Sequence, residues 1–149
     1  MIHKLRQRMA KEESGFTLVE LLVVMLILAL LAAIAIPSFF NQRDKARDAD
    51  AKESVRTAQT AIETYAIDNN GEYTGALAGD LEAIEQTLTD APNTVEVTGV
   101  APKAYTLTVE SATGNRFWIT RASGGTTTLQ CSVADADNRG GCPTNGFWD

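Results

Sequence analysis

The feature that most constrains this chain is a long apolar run near its start, residues 16–36, in which Glu20 is the only ionisable side chain. A helix of about 20 apolar residues is long enough to cross the hydrocarbon core of a bilayer. A carboxylate costs roughly 2.5 to 3.5 kcal/mol at the centre of such a span, and less near its end. The sequence therefore predicts a membrane segment whose first turn carries an acid that needs a cation from elsewhere.

Positive charge precedes the apolar run. Residues 1–15 hold Lys4, Arg6, Arg8 and Lys11 against Glu12 and Glu13. Such an excess keeps the preceding residues in the cytoplasm, so we expect the chain after Ile36 to lie outside. An ordinary secretory signal is the alternative, with Ala33-Ile34-Ala35 as a small-x-small cleavage site, although the apolar core of such a signal is usually only about 7 to 15 residues long.

Charge and histidine content argue against several classes of function. The formal net charge is −6, and the acidic excess is larger still once the basic head is set aside, which disfavours direct binding of nucleic acid. The only histidine, His3, lies in that head. The remainder of the chain lacks the imidazole that serine and cysteine triads and histidine metal sites use. We expect no enzymatic activity and no cofactor.

Beyond the run, the pattern is helical. Pro37 removes a donor to the carbonyl of Ala33, which predicts a kink, and the helix then resumes. Apolar residues recur at alternating steps of four and three, at Ala51, Val55, Ala58, Ile62 and Tyr65. Asp48 and Lys52 have the order of a favourable i to i+4 pair. The stop signal Asn69-Asn70-Gly71 closes one long helix predicted over residues 16–69.

The second half of the chain has strand character. A loop over residues 71–93 contains a short helix from Leu81 to Leu88, with Asp80 as its expected N-cap. Apolar and polar residues then alternate in four runs, around Val95 and Val97, Tyr105 to Val109, Phe117 to Ile119, and Leu129 to Cys131. Turns are expected at Thr113-Gly114-Asn115 and, as a two-residue hairpin loop, at Gly124-Gly125. The fold class is α+β, a long helix packed on a four-stranded antiparallel sheet.

Three groups of side chains in this half are candidate sites. Cys131 and Cys142, the only cysteines, are expected to form a disulfide outside the cytoplasm; free or metal-binding thiols are the alternative. Asp135 and Asp137 resemble the start of a calcium loop, but Arg139 takes a ligand position and a solvated turn is the simpler interpretation. The aromatic residues suggest either a sugar or nucleic-acid surface or, more commonly, core, at Tyr105, Phe117, Trp118, Phe147 and Trp148.

The stretch from Gly15 to Val24 resembles the class III signal of type IV pilins and pseudopilins. In that signal a basic leader ends in Gly, Phe follows, Glu comes fifth after the cut and a proline near position 22; here these are Gly15, Phe16, Glu20 and Pro37. The resemblance covers residues 1 to about 75, and beyond them it is one of layout only. It implies the type IV pilin fold, with residues 1–15 as a leader cleaved after Gly15, 16–36 as a transmembrane and filament-core helix, 37–70 as its amphipathic continuation and 71–149 as the globular part with a disulfide-closed tail.

The resemblance also implies a role. A prepilin peptidase would cut between Gly15 and Phe16 and methylate the new amino terminus, and Glu20 and Phe16 would act in assembly. The subunit would wait in the cytoplasmic membrane, N-terminus inside and surrounded by lipid, until an assembly platform and its ATPase pack copies of it into an extracellular helical pilus. The leading expectation is a major pilin serving adhesion, motility or DNA uptake. A type II secretion pseudopilin and a minor pilin are the alternatives, and calcium in place of the terminal disulfide would favour the pseudopilin.

Overall fold

The computed structural model describes residues 15–90, 94–137 and 139–148. The predicted leader lies outside these residues except for Gly15. The described residues form two compact units, one up to residue 39 and one from residue 40 onward. The first described element, helix α1 (Leu18–Asp68), begins in one unit and ends in the other. This confirms the long helix, within two residues of its predicted start and one of its predicted end.

Helix α1 ends at the predicted stop signal. Asn70 and Gly71 both have positive φ, 58° and 77°, and the N–H of Gly71 donates to the carbonyl of Ala66 at 2.6 Å. This backbone arrangement satisfies a carbonyl that the helix end would otherwise leave without a partner, and it favours Asn and Gly at these two positions.

Two short helices follow, α2 (Ala78–Ile84) and α3 (Thr87–Asp90). The expectation of one helix with Asp80 as N-cap was wrong. Leu77 occupies the N-cap, and Asp80 stands three residues later, where its carboxylate accepts a hydrogen bond from the Leu77 N–H at 2.9 Å. An acid in the first turn stabilises a helix from this position as well.

The sheet contains β1 (Val95–Ala101), β2 (Ala104–Glu110), β3 (Arg116–Arg121) and β4 (Thr127–Ser132). All neighbouring strands pair antiparallel, in the order β1-β2-β3-β4. This confirms the predicted meander. The expected two-residue loop at Gly124-Gly125 was wrong, because β3 and β4 are joined by residues 122–126, within which the Gly125 N–H donates to the Ala122 carbonyl.

The core of the second unit lies between the C-terminal half of α1 and one face of the sheet. The predicted helical stripe is confirmed, since Ala51, Val55, Ala58 and Ile62 are fully buried, and Tyr65 packs against the same cluster. From the sheet come large inward side chains that alternate with polar ones, at Tyr105, Leu107, Val109, Phe117 and Ile119. Small residues on the helix opposite large ones on the sheet allow the two layers to fill the space between them.

Candidate assembly site

The start of α1 is closed by a reciprocal cap. The Glu20 carboxylate accepts hydrogen bonds from the backbone N–H and the hydroxyl of Thr17, both at 2.9 Å, and the Thr17 hydroxyl accepts from the Glu20 N–H at 3.2 Å. This arrangement is a capping box, which satisfies two backbone donors of the first turn. The Thr-x-x-Glu spacing is its sequence signature, a signal that was missed when Glu20 was treated only as a charge awaiting a cation.

The side chains that follow this cap are exposed. Phe16 is 82% exposed and Leu18 78%, and the large apolar side chains that continue to Ile36 are all exposed as well. Among the described residues, one helix, Leu18–Asp68, contains a window long and apolar enough to cross a membrane, and none of that window is buried. A surface of this kind is stable in lipid or against other apolar surfaces.

A second site attaches the β2–β3 turn and the C-terminal tail, the segment that follows β4, to α1. Asp48 is fully buried on the helix. Its carboxylate accepts hydrogen bonds from the Thr113 hydroxyl at 2.5 Å, the Asn115 amide at 2.8 Å and the Gly141 N–H at 2.7 Å. One turn further on, the Lys52 ammonium donates to the Gly141 carbonyl at 2.7 Å. We call the residues Asp48, Lys52, Thr113, Asn115 and Gly141 the tail latch.

The electrostatics of the latch favour a charged carboxylate. Burial acts to raise the pKa of Asp48, but the hydrogen bonds from Thr113, Ser111, Gly141 and Asn115 together outweigh it and lower the pKa below its ordinary value. Asn115 in turn accepts from the Ala134 N–H at 3.0 Å. The latch therefore joins the helix, the β2–β3 turn and the C-terminal tail in one hydrogen-bonded network.

The tail is fastened a second time by covalent and aromatic contacts. Cys131 and Cys142 form the predicted disulfide. Trp148 is buried, donates from its indole nitrogen to the Gln130 carbonyl at 2.7 Å and meets the edge of Phe117. The Arg56 guanidinium lies over the Trp148 ring, 5.1 Å from its centre, which is a favourable cation–π distance.

A second polar cluster lies around Glu63 of α1, about four turns beyond Asp48 on the same helix. The hydroxyls of Tyr73 and Tyr105 donate to its carboxylate at 2.7 and 2.9 Å, and the Arg121 guanidinium lies 3.6 Å away. Burial, followed by the contact with Glu63, raises the pKa of both tyrosines above the ordinary value. The cluster therefore joins helix to sheet through hydrogen bonds in which both phenols are the donors.

Asp135 and Asp137, the weak calcium candidate, lie in a turn with a local hydrogen bond. The Asp137 N–H donates to the Asp135 carboxylate at 2.9 Å, and the Arg139 guanidinium donates to the Pro143 carbonyl at 2.8 Å. Among the residues that the structure describes, no three His, Cys, Asp or Glu side chains come together as a metal site would need. A solvated turn stays the favoured interpretation of these two residues, with calcium binding as the untested alternative.

Comparison with known proteins shows the family to which the chain belongs. Residues 11–36 match the family model described as the prokaryotic N-terminal methylation motif. The type IV wide pilus major component PilA4 of Thermus thermophilus is 35% identical over 108 residues, which cover 72% of this chain and 80% of that protein. Together with the long helix on a four-stranded meander, this shows that the chain belongs to the type IV pilin and pseudopilin superfamily.

Other relatives match only the first part. The type II secretion system core protein G of Pseudomonas aeruginosa is 37% identical over 59 residues, 40% of this chain and 42% of that protein. The competence protein ComGC of Halalkalibacterium halodurans is 34% identical over 58 residues, which are 39% of this chain and 57% of the relative. The chain thus spans about two fifths of the length of the secretion relative. No solved structure matches it significantly.

Proposed function

We propose that this chain is the structural subunit of a type IV pilus, assembled through its N-terminal helix into a helical filament. The observation that carries the proposal is the junction at Gly15, Phe16 and Glu20. It lies within the matched methylation motif and is followed by an apolar helical surface that no described part of the chain covers. Packing such helices together removes that surface from lipid and from water alike.

The proposed processing follows the four segments defined above. A prepilin peptidase removes residues 1–15 by cutting after Gly15 and methylates the new amino terminus of Phe16. The helix over residues 16–36 remains in the cytoplasmic membrane, with its start inside, until an assembly platform and its ATPase transfer the subunit to the pilus. Pro37 gives the helix a kink or a flexible point during that transfer. The chain needs no cofactor and carries out no reaction of its own.

Glu20 has two successive roles in this proposal. In the single subunit it caps its own helix through Thr17, as the hydrogen bonds at 2.9 Å indicate. In the filament, where water is excluded, the positive amine of Phe16 on a neighbouring subunit neutralises the carboxylate, because an unpaired charge among apolar helices is costly. The cap holds the carboxylate at the very start of the helix, next to where a neighbour's amino terminus would arrive.

A major pilin is favoured over a type II secretion pseudopilin by the extent of one match. The similarity to the Thermus pilus component covers 108 residues and therefore reaches into the globular part, whereas the match to the Pseudomonas secretion protein covers 59. The disulfide that closes the tail also favours the pilin. Adhesion, motility and DNA uptake all remain roles that a filament of this kind would serve.

Two variants separate the roles of Glu20. Glu20→Gln can still accept hydrogen bonds from Thr17 but carries no charge, whereas Thr17→Val removes the hydroxyl part of the cap and leaves the charge. We expect leader cleavage in both, measured by mass spectrometry of the N-terminus. Sheared surface filaments should be lost in Glu20→Gln and kept in Thr17→Val. Normal filaments in Glu20→Gln would contradict charge pairing, and an unmethylated or uncut N-terminus in wild-type filaments would contradict the processing route.

A further inference from the structure

The face of the sheet that points away from α1 carries rows of hydroxyl groups. We call it the outer face. Strand pairing places one threonine from each strand side by side, Thr98 opposite Thr106, Thr106 opposite Thr120 and Thr120 opposite Thr128. Neighbouring strands lie about 4.8 Å apart, so four hydroxyl side chains stand at that spacing in a single row. The Thr106 and Thr120 hydroxyls are within hydrogen-bonding distance of each other, at 3.3 Å.

The adjacent row on the same face holds two aromatic rings. Thr108 pairs with Trp118, Trp118 with Gln130, and Gln130 with Phe147 in an isolated antiparallel bridge. That bridge is fixed by hydrogen bonds from the Cys131 N–H to the Gly146 carbonyl and from the Trp148 N–H to the Leu129 carbonyl. Because partners across an antiparallel pair point to the same side, Phe147 extends the outer face while Trp148 turns into the core.

The two rings are held two strand spacings apart, roughly 10 Å along the row. The Trp118 indole nitrogen donates to the Gln130 side-chain oxygen at 3.2 Å, which fixes the ring between the two strands. Phe147 is 48% exposed, and Trp118 is partly exposed. An exposed aromatic ring flanked by hydroxyl and amide groups is amphipathic, apolar over its face and hydrogen-bonding at its rim.

The outer face is nearly neutral. Among the described strand residues on this side, the charged ones are Glu96 at the end of one row and the pair Glu110 and Arg116, whose side chains form a salt bridge at 2.9 Å. A polyanion such as DNA would meet no unpaired cation on these strands, although its binding depends on such cations. A ligand for this face is therefore neutral, rich in hydroxyl groups and able to stack on aromatic rings.

We propose that the outer face binds a single chain of a neutral β-linked polysaccharide. The apolar faces of two sugar rings stack on Trp118 and Phe147, whose separation of roughly 10 Å is about the length of a disaccharide unit. The sugar hydroxyls exchange hydrogen bonds with Gln130 and with the threonine row. Adjacent strands are rotated by about 20 to 25°, so the outer face is twisted. A twisted face can follow a single glycan chain, whereas it cannot lie flat on the surface of a crystalline polysaccharide.

The test uses the full chain, purified in a detergent without a sugar headgroup, and measures heats of binding for cellohexaose and for the hexamer of N-acetylglucosamine. We expect at least one of them to bind. Trp118→Ala and Phe147→Ala should each weaken binding about tenfold, as removal of a central aromatic contact usually does. Trp118→Phe should retain most of the affinity, and Thr120→Val, which keeps the volume of the side chain, should lose part of it.

The matched control is Leu77→Ala, which removes a 67% exposed apolar side chain outside the outer face and should leave binding unchanged. Retained fluorescence of buried Trp148 verifies that each variant is folded. The proposal would be overturned by no binding of either hexasaccharide, by equal binding by wild type and Trp118→Ala, or by binding only of anionic polymers such as heparin. Self-association of the chain through this face without glycan binding would also overturn it. Because the subunit is unassembled, each result is independent of the filament proposal.

Discussion

Removal of the Asp48 carboxylate is expected to weaken the attachment of the tail to α1. In Asp48→Ala the Gly141 N–H and one of the two N–H groups of the Asn115 amide lose their acceptor. The Asn115 amide still donates to the Arg139 carbonyl at 3.2 Å, and the Thr113 hydroxyl can turn to Ser111, 3.1 Å away. Each buried donor left without a partner costs about 1 to 3 kcal/mol. Two donors lose a partner, so we expect the free energy of unfolding to fall by about 2 to 6 kcal/mol.

The assay is chemical denaturation of the full chain in detergent, followed by Trp148 fluorescence in a Trp118→Phe background. Asp50→Ala, which removes an exposed carboxylate two residues away on the same helix, is the control and should change the free energy of unfolding by less than about 0.5 kcal/mol. If Asp48→Ala were no more destabilising than Asp50→Ala, the tail latch would not be what holds the tail to the helix.

The same carboxylate predicts a dependence on pH. The pKa of Asp48 is lower in the folded chain than in the unfolded one, so the unfolded chain binds the additional proton in acid. The stabilisation from Asp48 is therefore complete above its unfolded pKa of about 3.9 and is lost as the pH falls through the lower folded value. Denaturation midpoints measured at decreasing pH should fall more steeply for wild type than for Asp48→Asn; parallel curves would contradict this.

Three further changes test other contacts of the globular part. Cys131→Ala removes the disulfide, whose closed loop is worth about 3 kcal/mol, and should lower the melting temperature and abolish its sensitivity to reductant. Gly140→Ala should lower the free energy of unfolding by about 2 kcal/mol or more, because φ is +53° and a Cβ would overlap the buried Asp48 carboxylate. Gly124→Ala, with open space around it, should be neutral in the same melts. Glu63→Gln should cost about 1 to 2 kcal/mol in denaturant titrations by weakening hydrogen bonds from two tyrosines; an unchanged midpoint would show that the cluster adds no stability.

The architecture was accessible from sequence because it rests on local periodicity. The four-three alternation from Ala51 to Ile62 and the two-residue alternation in the strands report directly which side chains are buried. The end of α1 was accessible for a similar reason, since Asn70 and Gly71 adopt the positive φ that their residue types favour.

The tail latch was not accessible, because its partners are distant in sequence. The i to i+4 order pointed only to Lys52 as a partner of Asp48, and the contacts with Thr113, 65 residues away, and Gly141, 93 residues away, arise from the tertiary fold. For a related reason, the sequence did not show which aromatic side chains lie in the core and which lie on the surface. Only the strand register and the bridge at Gln130 show that Trp148 turns inward while Trp118 and Phe147 remain on the outer face.

The junction of Phe16 and Glu20 is the proposed contact between subunits, and a reconstruction of a filament built from this chain would show it. We expect residues 16–36 of all subunits to pack together in the filament core. There, the Glu20 carboxylate should lie within about 4 Å of the Phe16 amine of a neighbouring subunit, the distance of an ion pair. A filament in which Glu20 contacts only its own Thr17, with every neighbouring amine well beyond that distance, would contradict it.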